Sequence, residues 1–374
     1  MIQPIPSPPS RARRLAQLTA LLLSLIVLGC GTSAPPPDSG TATTPSEAPA
    51  NGEPDVLHVY IWSDYLDGDL VTRFERENQC RVVLDYFDSN EAMYAKLKAG
   101  GGGYDVLVPS SYILPLLVKE NLVQPLDPSA IPHREHIDPN YRKLLPDHEM
   151  KHSVPYMMSY TGVGYLRSMV GDLAPSWNVF ARQDLKGVMT LLDDPRETIG
   201  AALKLNGHSL NSLDDTALAQ ARDTVIGWKR HLAKFENAQY HHGLASAEFQ
   251  LVHGYSGDVL QVQVENPDVT FFLPKEGFPL TCDLLVIASK AKAPKLAHRF
   301  INFLHTPEVA AKNTQTVRFL CPNTGSYPLL PAELRQNPAI FPPEEVLARA
   351  EFIEDLGKDN EKYVKIWDEI KAAR

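Results

Sequence analysis

Short apolar runs alternate with amphipathic stretches from residue 56 onward, and few folds accommodate that order. Residues 56–61 (VLHVYI) read as a buried strand. Residues 66–78 are polar-rich and helical. Residues 81–87 form a second strand rich in Val and aromatics. Residues 90–99 are predicted to be helical, with Met93, Tyr94 and Leu97 facing inward and Glu91 and Lys98 outward. Gly100 to Gly103 stop that helix, and residues 104–108 make a third strand before Pro109. Strand, helix, strand, helix, strand predicts a sheet covered by helices. The alternation returns further on, with strands at 188–192, 249–255, 269–273 and 284–288. Helices are expected at 196–205, 216–235 and 295–304, and residues 343–373 read as mostly helical. No internal repeat is present. A chain of 374 residues that is 44% hydrophobic buries a sizeable core without metal or disulfide staples.

The segment ahead of this alternation has another character. Arg11, Arg13 and Arg14 precede an apolar stretch, 15–28, broken only by Gln17, Thr19 and Ser24. A positive start followed by a short apolar core describes an export signal. It falls short of the roughly 20 apolar residues of a membrane span. Val27-Leu28-Gly29-Cys30 resembles a bacterial lipobox, in which the Cys thiol is acylated and becomes the new N-terminus. Residues 31–55 are rich in Pro, Ser, Thr, Ala and Gly, and offer too little apolar surface to offset the entropy of ordering. Residues 1–29 are therefore expected to be a lipoprotein signal peptide, Cys30 the lipid anchor and 30–54 a disordered tether.

Charge and motifs exclude several classes. The net charge of −9 argues against a nucleic-acid partner, which calls for a basic face, and suits a cationic one. Once Cys30 is lipidated, Cys80, Cys282 and Cys321 remain, and their spacing does not settle whether a disulfide forms. No C-x-x-C, H-E-x-x-H or G-x-S-x-G occurs. His241-His242 and His133-x-x-His136 lack an acidic or Cys partner at ligand spacing, so they read as exposed polar positions. Ser256-Gly257-Asp258 reads as a turn. No catalytic residue, metal or cofactor is expected.

Seven stretches occur in the order found in the spermidine/putrescine-binding proteins of bacterial ABC transporters. They include Tyr60-Ile61-Trp62-Ser63-Asp64-Tyr65 and Ser89-Asn90-Glu91-Ala92-Met93-Tyr94, followed by Tyr104-Asp105-Val106-Leu107-Val108-Pro109-Ser110-Ser111-Tyr112. Leu191-Leu192-Asp193-Asp194-Pro195-Arg196-Glu197 comes next. Pro274-Lys275-Glu276-Gly277, Asp283 to Ala288 with Ile301-Asn302-Phe303-Leu304, and Asn337-Pro338-Ala339-Ile340-Phe341-Pro342 complete the set. The chain resembles that family over nearly all of 55–374. The resemblance implies an α/β, two-lobed periplasmic binding protein type II fold with the ligand in the cleft between lobes. Lobe 1 is then 55–160 with 283–325, and lobe 2 is 161–282 with the C-terminal helices of 326–374. It implies a polyamine receptor of putrescine/spermidine type that delivers to ABC permease subunits. The protein is expected to be a monomer, periplasmic or at the cell surface, held to the membrane by its lipid.

A polyamine is a row of ammonium charges joined by methylenes. Its site needs carboxylates at fixed separations and aromatic walls, placed at strand ends where α/β sheets bind ligands. Trp62, Ser63 and Tyr65 follow the first strand, Ser110 and Tyr112 the third, and Tyr255 ends another. Asp194 and Glu197 open a helix. Asp283 precedes the strand 284–288 in an apolar setting, where a lone carboxylate is costly. Each has a plainer role open to it: Trp62 as core, Asp194 and Glu197 as a capping pair with Asp193 the better cap, Asp283 in a core salt bridge. Many relatives carry Trp where this chain has Thr281 and Tyr255, and a polar residue near Ile353. A different cationic or small organic solute on the same fold remains open, as does an exported enzyme or structural lipoprotein. The anchor has a direct test. Cys30→Ser is expected to release the protein from membranes washed with carbonate, and a variant still retained there contradicts the lipobox reading.

Overall fold

The computed structural model describes residues 55–373; the signal, the tether and Cys30 lie outside them. Ten strands form one sheet, eight of them on a continuous path: β1 (Asp55–Ile61), β2 (Cys80–Tyr86), β3 (Val106–Leu107), β4 (Ser153–Leu166), β5 (Met189–Leu191), β6 (Leu232–Phe235), β7 (Leu251–Tyr255), β8 (Val269–Phe272), β9 (Phe278–Ile287) and β10 (Ala350–Phe352). Their order is β2-β1-β3-β9-β4-β7-β5-β6, with β10 against β9 and β8 against β4. β1 is parallel to β2 and β3, and β5 is parallel to β6 and β7. These two parallel groups are the α/β units expected from the alternation, and the antiparallel pairs of β4 and β9 join them.

β1 shows why both faces of the sheet are covered. Leu57, Val59 and Ile61 point into one apolar cluster and Tyr60 into another, as the two-residue period of a strand requires. The helix Gly68–Asn78 covers the first face, capped by Asp67, which accepts from the backbone N–H of Asp69 and Leu70. Pro294–Leu304 and Pro307–Val317 pack on the same cluster.

Strand β4 is absent from the sequence reading, although all 14 of its residues are buried. Burial on both faces removes the alternation that marks a half-exposed strand, and Pro155, Gly162 and Gly164 read as breakers. Pro155 sits at a register shift against β9, where a missing N–H is tolerated. The two glycines admit close neighbours. A Cβ on Gly162 would stand 2.4 Å from the Phe272 carbonyl oxygen, and one on Gly164 2.8 Å from Val259. Residues Ser153 to Tyr160 of β4 pair with β9, and Thr161 to Leu166 pair with β7 and β8. One strand thus runs through both halves of the sheet.

Two further expectations need correction, and a third, the mostly helical tail, gains one short strand. The helix expected over 216–235 ends at Lys229, and β6 follows as an edge strand on β5; the amphipathic pattern carries through the turn and hides it. The strand expected at 284–288 begins at Phe278, so Asp283 lies inside β9 rather than before it. The tail holds the helix Asn360–Ala372 but also β10, which pairs in parallel with Phe278 to Leu280.

Asp105 ties the first half together. Its carboxylate accepts from His58 N at 2.9 Å, Lys292 N at 2.7 Å and Ala293 N at 2.8 Å, and it is 1% exposed. Asp105→Ala leaves three backbone N–H donors without this buried acceptor. The expected loss is about 3 kcal/mol, read as a lower urea midpoint with an unchanged slope. A loss below about 0.5 kcal/mol, within the range of ordinary surface substitutions, shows that the carboxylate does not tie these segments.

Candidate functional site

The strand ends converge on a cavity of about 360 Å³. Trp62 and Ser63 leave β1, and Asp64 takes a left-handed φ of 54°. Tyr65 then turns back beneath them, its ring edge-on to Tyr156 and Phe319. Ser110 follows β3 and bridges to Asp283 in the middle of β9. The Tyr65 hydroxyl donates to Asp283 Oδ2 at 2.6 Å, and Ser110 Oγ donates to Oδ1 at 2.7 Å. A second layer fixes these donors. Tyr156 Oη donates to the Tyr65 carbonyl at 2.7 Å and accepts from Asn313 Nδ2 at 2.8 Å. Asn90 Nδ2 donates to Ser110 Oγ at 3.1 Å and to Tyr112 Oη at 3.0 Å, while its Oδ1 accepts from Ser110 N at 3.0 Å.

The other wall comes from helix starts. Asp194 caps Pro195–Leu205, accepting from Arg196 N at 2.8 Å and Glu197 N at 3.1 Å. The cap expected at Asp193 is therefore one residue further on; Asp193 is exposed and pairs with Lys371. Glu197 lies in the first turn, 2% exposed, and its Oε2 has no hydrogen-bond partner among the described residues. Arg196 turns away, donating to the Glu354 carbonyl and Asn211 and lying over the Tyr363 ring. Tyr255 ends β7, and the helix Ser256–Glu265 begins at once. The turn expected at 256–258 is thus a helix start, and it carries Asp258 into the cavity, bonded by the Tyr240 hydroxyl at 2.5 Å.

All nine residues singled out from the sequence line this cavity: Trp62, Ser63, Tyr65, Ser110, Tyr112, Asp194, Glu197, Tyr255 and Asp283. Thr281 and Ile353 line it too. Sequence reasoning missed Asp258 and Asn90. Asp258 follows a strand at the same offset as other singled-out residues, so the signal was present and was read as a turn. Asn90 was legible only as part of a helix start. His241 also lines the cavity, and Asp64 stands beside it, so the His pair does have an acidic partner, brought by the fold from far away in sequence.

The electrostatics are one-sided. Asp88, Asp194, Glu197, Asp258 and Asp283 line the cavity, and among the described residues no Lys or Arg does. Burial pushes the Asp283 carboxyl up to about 6 despite its bonds from Ser110 and Tyr65. Burial raises Asp258 to about 7 against the Tyr240 bond. Glu197 is raised by burial and then by the charge of Asp194. Asp194 is raised by burial, with the helix N–H groups opposing. Trp62 meets Phe87 at 4.3 Å between centroids. Carboxylates above ordinary pKa, between aromatic walls, are built for a cation that restores the lost solvation.

The family of bacterial extracellular solute-binding proteins matches residues 69–342. The putrescine-binding periplasmic protein PotF of Escherichia coli is 34% identical over 317 residues, 79% of this chain and 86% of PotF. A putative spermidine/putrescine ABC transporter structure from Listeria monocytogenes superposes with a TM-score of 0.81 at 34% identity, covering 86% of this chain and all of that one. The TpPotD lipoprotein of Treponema pallidum gives 0.76 at 31% identity, covering 84% and 99%.

Asp283 sets two opposite pH dependences. Its folded pKa lies above the unfolded one, so its contribution to stability is full below the ordinary carboxylate range and lost as pH rises through about 6. A cation needs the proton gone. Its affinity is therefore expected to fall as pH drops below about 6, approaching about tenfold per unit for each carboxyl that must ionise. Calorimetric titration from about pH 8 to about pH 5 reads this, and a flat profile contradicts it.

Proposed function

The chain belongs to the bacterial extracellular solute-binding protein family, and we propose that its solute is a polyamine of putrescine/spermidine type, delivered to the permease subunits of an ABC importer. One observation carries the reading: the lining holds five carboxylates and, among the described residues, no Lys or Arg. Relatives named for putrescine or spermidine, at 28–34% identity, support it. The protein is a binding component, and its chemistry is recognition.

In this reading Asp283, held by Tyr65 and Ser110, takes one ammonium group. Asp194 and Glu197, with Asp258 on the same side, take another. Trp62, Tyr112 and Tyr255 cover the methylenes between them, and Ser63 borders the cleft. Thr281 and Ile353 leave that wall smaller or apolar, which favours short solutes. The lobes are 55–160 with 283–325, and 161–282 with 326–374, and β4 crosses between them at Tyr160 and Thr161. The protein works as a monomer, anchored through Cys30 outside the cytoplasmic membrane; the lipoprotein standing of the Treponema neighbour supports that placement.

Isothermal titration with putrescine and spermidine tests the site. Asp283→Asn and Glu197→Gln remove a charge and keep the shape. Each is expected to weaken binding by about 1.5–3 kcal/mol, roughly one to two decades. Trp62→Ala removes an aromatic wall, for a loss of about 0.5–2 kcal/mol that depends less on salt. Glu120→Gln serves as control, because Glu120 pairs with Lys98 on the surface. Folded Asp283→Asn and Glu197→Gln that bind as the parent does make these acids structural. A parent that binds neither amine leaves another cationic solute.

A further inference from the structure

We infer that Asp64, His241 and His242 form a binding site for a divalent transition-metal cation of the zinc class at the rim of the cleft. Each offers one donor atom, and the three donors lie within 4.8 Å of one another. His241 Nε2 and Asp64 Oδ2 stand 3.7 Å apart. Tetrahedral bonds of about 2.1 Å put donors about 3.4 Å from each other, so this pair is already close to bridging distance.

The local geometry is unusual for an unused pair. Successive residues on a helix normally point apart. On the helix Tyr240–Ala245 the rings of His241 and His242 instead converge to 4.0 Å between centroids, tilted by 42°. His241 Nδ1 is buried and has no hydrogen-bond partner among the described residues, so the ring is not committed to a protein acceptor on that side. Asp64 and His242 are exposed, and small rotations of both bring their donors inward. Two imidazoles and one carboxylate suit zinc-class ions and discriminate against calcium and magnesium, which demand oxygen. Three protein donors leave the fourth tetrahedral position to water or a ligand atom.

The position gives the ion a consequence. Asp64 belongs to the turn that carries Trp62 and Tyr65, on the β1 side of the cavity. The two histidines belong to the facing helix, whose Tyr240 holds Asp258. An ion held by all three residues ties one wall of the cleft to the other.

Zinc titration of the untagged full-length chain, without any amine, tests the site independently of the solute reading. The parent is expected to bind one Zn²⁺ more tightly than His242→Ala or Asp64→Asn by about tenfold or more. Co²⁺ in the same site is expected to give the intense visible absorption of a tetrahedral ion, and His242→Ala to abolish it. His133→Ala, which alters the separate stacked pair His133 and His136, is expected to leave the zinc affinity unchanged. His242→Ala and Asp64→Asn change exposed side chains, and circular dichroism verifies that both fold. A parent without zinc binding, or a variant of either residue that binds as the parent does, overturns the three-donor site. Because no amine is present, that failure leaves the polyamine reading untouched.

Discussion

A carboxylate buried at the centre of β9 organises the cleft. Asp283 is 7% exposed, and taking its charge out of water is costly unless something answers it. Two hydroxyls answer part of the cost, and they arrive from remote places. Tyr65 is 218 residues away in sequence and Ser110 is 173 away. The loops after β1 and β3 are thereby drawn to one strand. Asn90, Tyr156 and Asn313 hold the donors in turn, so the position of each hydroxyl is decided one layer behind it. Hydroxyls supply no positive charge, however, and the raised Asp283 pKa records what they leave unanswered.

Helix starts supply the facing acids under different conditions. Asp194 accepts two backbone N–H groups at the positive end of its helix, which favours its charged form. Glu197, one turn further in, lacks such bonds on Oε2 and feels the neighbouring charge. Asp258 depends on a tyrosine. Four buried or half-buried carboxylates therefore surround one cavity in graded electrostatic states, and a polycation is the partner that relieves all of them together. The long strands β4 and β9 pass beneath, and the pairing of β4 with β9 on one half and with β7 and β8 on the other gives both walls a common base. Beside the cavity, Asn237 Nδ2 donates to the Asp88 carbonyl at 2.7 Å, and elsewhere Gln261 Nε2 donates to that of Val317 at 3.0 Å. Those bonds use side-chain amides on one side and backbone carbonyls on the other.

Local chemistry made much of this legible. The first βαβαβ unit stood out because each strand is short, apolar and bounded by turn residues, and each helix carries one apolar face. Acids and aromatics at strand ends marked the cavity, since a residue just past a strand points into the space between elements. β4 escaped because burial on both faces erases periodicity and because its proline and glycines imitate breakers. β6 escaped because a turn of ordinary residues separates it from a helix of similar composition. Asp258 was read as part of a turn, since three small or polar residues look alike at a helix start and in a loop.

The sequence by itself determined the α/β class, the unpaired acidity and the identity of the groups available to meet a cation. Those properties depend on side-chain type and on periods of two or about 3.6 residues, which survive in one dimension. Only the tertiary structure decided which groups meet. Asp283 joins Tyr65 and Ser110, and Asp64 joins His241 and His242, across separations that no local pattern encodes. The physical reason is that burial and charge are properties of a surrounding volume: a carboxylate acquires its raised pKa, and a histidine its acidic neighbour, only when strands distant in sequence are packed side by side.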